Sequence, residues 1–71
     1  MTEIFITTEY IKLDSFLKLS NAVCSGGEAK MLIAQGDVLV DGAPCTMRGK
    51  KIRPGMKIAV FDETYLCMAE N

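Results

Sequence analysis

Between Ser25 and Gly36 the segment SGGEAKMLIAQG carries both a start and a stop for a helix. The Ser25 hydroxyl can accept from an unpaired N–H of the first turn. Glu28, three residues on, completes a Ser-x-x-Glu capping box, and Gly36 suits the left-handed residue that closes a helix. Ala29, Leu32 and Ile33 fall at i, i+3 and i+4 and form one apolar stripe. Just upstream, IKLDSFLKLSNAV places Leu13, Phe16, Leu17 and Leu19 near the same period, which predicts a helix over Leu13 to Leu19. Ser20 and Asn21 suit the turn after it. Two short helices with a short link make an αα-hairpin.

The remainder reads as β. EIFITT is an apolar, β-branched run suited to a short edge strand. DVLVDG alternates, with Val38 and Val40 on one face and a turn at Asp41-Gly42. CTMRGKKI reads as a second short strand interrupted by Gly49. In RPGMKIAVF a Pro-Gly turn of type II precedes the alternating Met56, Ile58 and Val60. DETYLCMAE fits either an extension of that strand or one more. The order predicts an α+β fold: an αα-hairpin packed on a small, mostly antiparallel sheet. The 71 residues make one domain, too small to enclose both a core and a deep catalytic cavity.

A hydrophobic fraction of 49% argues for a folded chain. No apolar run approaches the roughly 20 residues that span a bilayer. The acidic start MTEIFITTEY lacks the basic region of a signal peptide, so a cytoplasmic protein without membrane contact is expected. Cys24, Cys45 and Cys67 are widely spaced and the chain has no histidine, so no metal site is expected and the cysteines read as reduced thiols. No cofactor motif is present.

The net charge of −1 hides a strong asymmetry. Met1 to Asp41 holds three lysines against six acids, whereas Gly42 to Val60 holds Arg48, Lys50, Lys51, Arg53 and Lys57 with no acid. From Phe61 on there are three acids and no base. A one-sign block between acidic flanks creates a local field suited to a polyanion.

Gly26 and Gly27 stand where a helix should begin, although glycine costs about 1 kcal/mol relative to Ala in a helix interior. Missing Cβ atoms allow close packing against a neighbouring element. They equally bare a helix N-terminus, where unpaired N–H groups and the dipole favour a phosphate. Glu28 opposes an anion there unless the capping box folds it back to the Ser25 backbone. Lys30 lies further along the flank.

The combination LDSFL, a Ser-initiated second helix, LIAQG, VLVDG and CTMRGKKIRPGMKIAV resembles the S4 RNA-binding domain family over about residues 11–60. The SGGEAK…RGKK version is most similar to small stand-alone bacterial S4-like proteins of the YaaA/YbcJ type. The resemblance implies an S4-like αL motif that binds RNA through the helical hairpin and the adjoining strand–loop surface. Many family members carry a basic residue before LD and another after the capping Ser. Lys12 holds the first place, but Gly26 stands in the second, which shifts the expected contacts toward the bare helix end and the basic stretch.

The implied contact set is therefore Lys12, Lys18, Ser25, Gly26, Gly27, Lys30, Arg48, Lys50, Lys51 and Arg53. One continuous positive surface is expected to join the start of the second helix to Arg48–Arg53. Phosphate contacts of this kind give affinity and register but little sequence information. Only Tyr10 and Tyr65 look available to stack on bases, so structured RNA is favoured over single strands.

The expected partner is structured, ribosomal RNA bound by a monomer, with ribosomal proteins as further partners. Without histidine, and with Cys24 lacking a base partner, no catalytic residue and no enzyme activity are expected. The alternative is a protein–protein adaptor of the ribosome or RNA-processing machinery, served by the acidic tail and exposed methionines.

Overall fold

The computed structural model describes residues 1–70 of the chain. Two helices, Leu13–Leu19 (α1) and Gly26–Ala34 (α2), follow two strands, Thr2–Ile6 (β1) and Ile11–Lys12 (β2). Five strands come after them: Leu39–Val40 (β3), Ala43–Pro44 (β4), Lys51–Ile52 (β5), Lys57–Val60 (β6) and Glu63–Ala69 (β7). The larger sheet has the order β1-β7-β6-β3-β4, and β2 pairs with β5 as a separate antiparallel ribbon. All pairings are antiparallel except β1 with β7. The α+β architecture is the one the sequence predicts, and β1 is an edge strand as expected.

Both helices end where their residues say they should. Asn21 (φ 62°) follows α1 and Gly36 (φ 78°) follows α2 in the left-handed region. At α1 the Asn21 and Ala22 amides donate to the Lys18 and Leu17 carbonyls; at α2 the Gly36 and Asp37 amides donate to those of Ile33 and Leu32. These are two Schellman closures, one with Asn in place of the usual Gly.

Seven residues are too few for α1 to be stable in isolation. Its helicity rests on Leu13, Phe16 and Leu17, all fully buried, each contributing about 1.5–3 kcal/mol by leaving water. They meet Ala29, Leu32 and Ile33 of α2, Val38 just ahead of β3, and a floor of Val40, Ile58, Val60 and Cys67 from the sheet. No polar side chain is buried among the described residues. The cluster also takes in Ile6 and Cys67, outside the 11–60 stretch that carries the family resemblance.

The turns are mostly those the sequence signals. Asp41 (φ 51°) and Gly42 (φ 88°) link β3 to β4 with both central residues left-handed, the hairpin geometry of type I′. Pro54-Gly55 forms the type II turn, with Gly55 at φ 99° and the Met56 amide donating to the Arg53 carbonyl at 3.1 Å. One expectation needs correction. CTMRGKKI is not a strand over its length: only Lys51–Ile52 pairs, and the Lys50 amide turns back to the Met47 carbonyl. Of the two readings of DETYLCMAE, the structure has one more strand, β7, seated between β1 and β6.

No helix among the described residues is long and apolar enough to cross a membrane.

Candidate nucleic-acid interface

Helix α1 begins without a side-chain cap, since Lys12 occupies the capping position. Its first amides are satisfied from a distance instead. Leu13 donates to the Lys50 carbonyl at 2.9 Å and Asp14 to the Arg48 carbonyl at 3.2 Å. The basic loop is thus stapled by its own backbone to the start of α1. Immediately beside it, Lys12 and Lys51 are direct partners in the β2–β5 ribbon. Lys12, Arg48, Lys50 and Lys51 are exposed and gathered at one end of α1. Like charges directly opposite across strands are unfavourable, so this grouping costs stability in the free protein. None of the four is in an ion pair among the described residues, where Arg53–Glu9 at 3.2 Å is the only one.

Arg53 is therefore partly neutralised by Glu9. Its guanidinium also lies 5.6 Å from the Tyr10 ring centroid, and the Lys51 ammonium lies 5.0 Å from it. Both are cation–π distances. Tyr10 is consequently part of this surface, although its position in the sequence carried no sign of these two cations. Tyr65, the other aromatic expected to be free for stacking, is half-buried and packed against the core. Its place on the buried face of β7 removes it from that role.

The second group lies at the start of α2. Ser25 caps the helix, its hydroxyl accepting from the Glu28 amide at 3.2 Å. Glu28 does fold back, but its carboxylate accepts from the Cys24 amide at 2.9 Å and not from Ser25. That return bond engages the one nearby acid at the residue just ahead of the cap. Gly26 and Gly27 are exposed, and their amides meet no acceptor among the described residues. A Cβ on Gly26 would come no closer than 4.0 Å to anything, the neighbour being the Lys18 ammonium, and one on Gly27 no closer than 3.9 Å, to the Ser25 hydroxyl. Close packing within the chain therefore does not account for the two glycines.

Lys18 thus joins the α2 end, while Lys12 belongs to the opposite end of α1. The seven-residue helix separates the two groups by about 10 Å. Lys30 is exposed one turn into α2, and no hydrogen bond or ion pair among the described residues ties it to either group. Asp14, between them, is half-buried and accepts from the Ser15 amide at 2.7 Å.

The S4 domain family model matches residues 4–67. The chain belongs to the S4 domain family. The match extends beyond residues 11–60 into β1 and β7, the two strands that flank the motif region. Over 52 residues the chain is 44% identical to a Bacillus subtilis protein named "Probable ribosome maturation protein RlbA", covering 73% of each. The solution structure of Escherichia coli YbcJ, described as revealing an αL motif involved in RNA binding, superposes with a TM-score of 0.75. That match has 31% identity and covers 97% of this chain and 89% of YbcJ. The fold and the αL motif of this S4 domain are those the resemblance implied.

Proposed function

We propose that this S4 domain binds structured RNA, with ribosomal RNA as its target, and does so without catalysis. The observation that carries the reading is the Lys12–Lys51 opposition with Arg48 and Lys50 stapled beside it: a cluster of unpaired cations held together by backbone bonds. A polyanion relieves the repulsion that the free protein bears, since phosphates neutralise the cations and release counterions. The bare start of α2, with Lys18 beside it, offers a second phosphate position about one helix length away. Ser25, Gly26 and Gly27 serve there through backbone amides, and Lys30, set apart one turn on, is a separate contact. Arg53 acts with Tyr10 at the outer edge of the first group. The RNA-binding description of YbcJ and the ribosome-maturation name of RlbA support the same reading.

Two phosphate positions a fixed distance apart select by backbone shape, so a folded hairpin should bind better than a single strand. The test is an anisotropy titration of the purified chain with a ribosomal RNA hairpin, the same RNA unpaired, and a DNA duplex, each at two salt concentrations. Three to five phosphate contacts give a log–log salt slope of roughly −2 to −5. Preference for the hairpin, that slope, and loss of binding in a Lys50→Glu/Lys51→Glu variant are the expected results. No binding to any nucleic acid at low salt would overturn the proposal.

A further inference from the structure

The helices cover only one face of the five-stranded sheet. Residues directly opposed in a sheet share a face, and the register separates the two sides cleanly. Val40, Ile58, Tyr65, Cys67 and Ile4 point to the helices and the core. The other side carries Leu39, Ala59, Thr64, Leu66, Met68 and Phe5, with Lys57 and Glu3 flanking Leu66 on its two neighbouring strands. No element among the described residues packs over it. Phe5 is 48% exposed, and Leu39, Ala59, Leu66 and Met68 are only half-buried, by one another.

At one corner this face opens into a depression of about 330 Å³ lined by Asp37, Leu39, Ala59, Val60, Phe61 and Asp62. Its lining is mixed: Leu39, Ala59, Val60 and Phe61 supply the apolar part, and its only charged side chains are two carboxylates. Both acids are exposed, and neither has an ion pair or a side-chain hydrogen bond among the described residues. Phe61 forms the rim and is 58% exposed. With Asp62 it makes the two-residue β6–β7 turn, both residues left-handed at φ 53° and 62°. A bulky aromatic is a genuine outlier in that region, where Asn-Gly is the favoured pair. The chain therefore holds an apolar ring in water at a backbone cost.

We infer that this bare sheet face docks a basic, amphipathic protein segment, whose apolar side chains lie across Leu39, Leu66 and Phe61 while a Lys or Arg enters the depression. The charge of the site selects this occupant. A long cationic side chain buries its aliphatic stem on the apolar part of the lining and keeps its head at the carboxylates. At about 330 Å³ the depression is at the small end for a ligand site, which suits one side chain of a longer segment. An anionic membrane surface is repelled by Asp37 and Asp62. A second copy of the chain offers from this face only Lys57 as a cation.

The probe is a synthetic eight-residue peptide alternating Lys or Arg with Leu or Val, titrated into the ¹⁵N-labelled chain. A matching peptide with Glu at every basic position is the control. The expected result is amide shifts at Leu39, Ala59, Phe61 and Leu66, absent with the acidic peptide. Asp37→Asn/Asp62→Asn should weaken binding roughly threefold to tenfold, as two partly exposed ion pairs would.

Phe61→Asn/Asp62→Gly separates docking from folding. It installs the favoured turn, so it should raise the melting temperature while abolishing the peptide-induced shifts. Hairpin RNA binding should be unchanged in both variants. No shifts at millimolar peptide, equal shifts with the acidic peptide, or concentration-dependent self-association through the same amides without peptide would each overturn the inference.

Discussion

Lys12 and Lys51 face one another across a two-stranded ribbon, next to a loop whose backbone carbonyls complete the first turn of α1. The pairing is locally unfavourable, and stability and binding should therefore respond to it in opposite directions. Lys12→Glu converts the pair into an attractive one and places an acid at a helix N-terminus, leaving the Lys51–Tyr10 contact in place. Stability should rise by about 0.5–1 kcal/mol. Affinity for the RNA hairpin should fall, and the salt slope should shrink by about one contact. Urea unfolding and anisotropy on the same preparation check both halves.

The two glycines at the start of α2 have the same double character. A methyl group at either meets nothing closer than 3.9 Å, and Ala is the better helix former. Gly26→Ala/Gly27→Ala should therefore stabilise the free protein by about 0.5–1 kcal/mol, less than the interior value because these are first-turn positions. If a phosphate seats on the bare amides, the same variant should bind hairpin RNA several-fold more weakly. Equal affinity would remove the α2 end from the interface and leave the Lys12–Lys51 group alone.

The Glu28 carboxylate accepts from the Cys24 amide, just ahead of that helix end. Glu28→Gln keeps an acceptor for the amide and removes the charge. RNA affinity should change little in this variant if the carboxylate stays engaged by the Cys24 amide. A large gain would mean that Glu28 opposes the ligand in wild type.

Burial pushes the Cys67 thiol above its ordinary value of 9.0. The unfolded chain then ionises before the folded one. Cys67 therefore leaves stability untouched at neutral pH, and stability is lost as pH rises from about 9 through the higher folded value. Cys67→Val fills much of the same space without a titrating group. The melting temperature of wild type should fall relative to the variant between pH 8.5 and 10.5, and the gap between them should be constant below pH 8.

What was legible in the sequence is what local chemistry decides. Ser25, Glu28, Ala29, Leu32, Ile33 and Gly36 lie within one helix and its caps, where each residue's role follows from its neighbours. Asp41-Gly42 and Pro54-Gly55 name their own turn types. Phe61-Asp62 does not, because Asp62 tolerates a left-handed backbone but the bulky Phe61 does not favour one; the β6–β7 pairing imposes it. The basic stretch was recognised by its charge, but not its shape. Arg48 and Lys50 look like strand residues until α1, more than thirty positions earlier, claims their carbonyls. Likewise Tyr10 acquires its two cations only when β2 and β5 meet, and Tyr65 is withdrawn from the surface by the register of β7. Among the expected contact residues, Lys12, Arg48, Lys50 and Lys51 converge, Lys18 joins Gly26, and Lys30 stands apart for the same long-range reason.

The parallel pairing of β1 with β7 sets an order of assembly. Thr2–Ile6 has no partner in the sheet other than Tyr65–Ala69, so during synthesis the first strand has nothing to join until the last has emerged. The αα-hairpin can close early from local contacts, but the sheet cannot. Strand pairing across most of the sequence is slow to nucleate, and an unpaired apolar strand is prone to wrong partners meanwhile. Threonine, glutamate and the brevity of β1 limit that exposure, and the molecule reaches its final form only after translation of the whole segment.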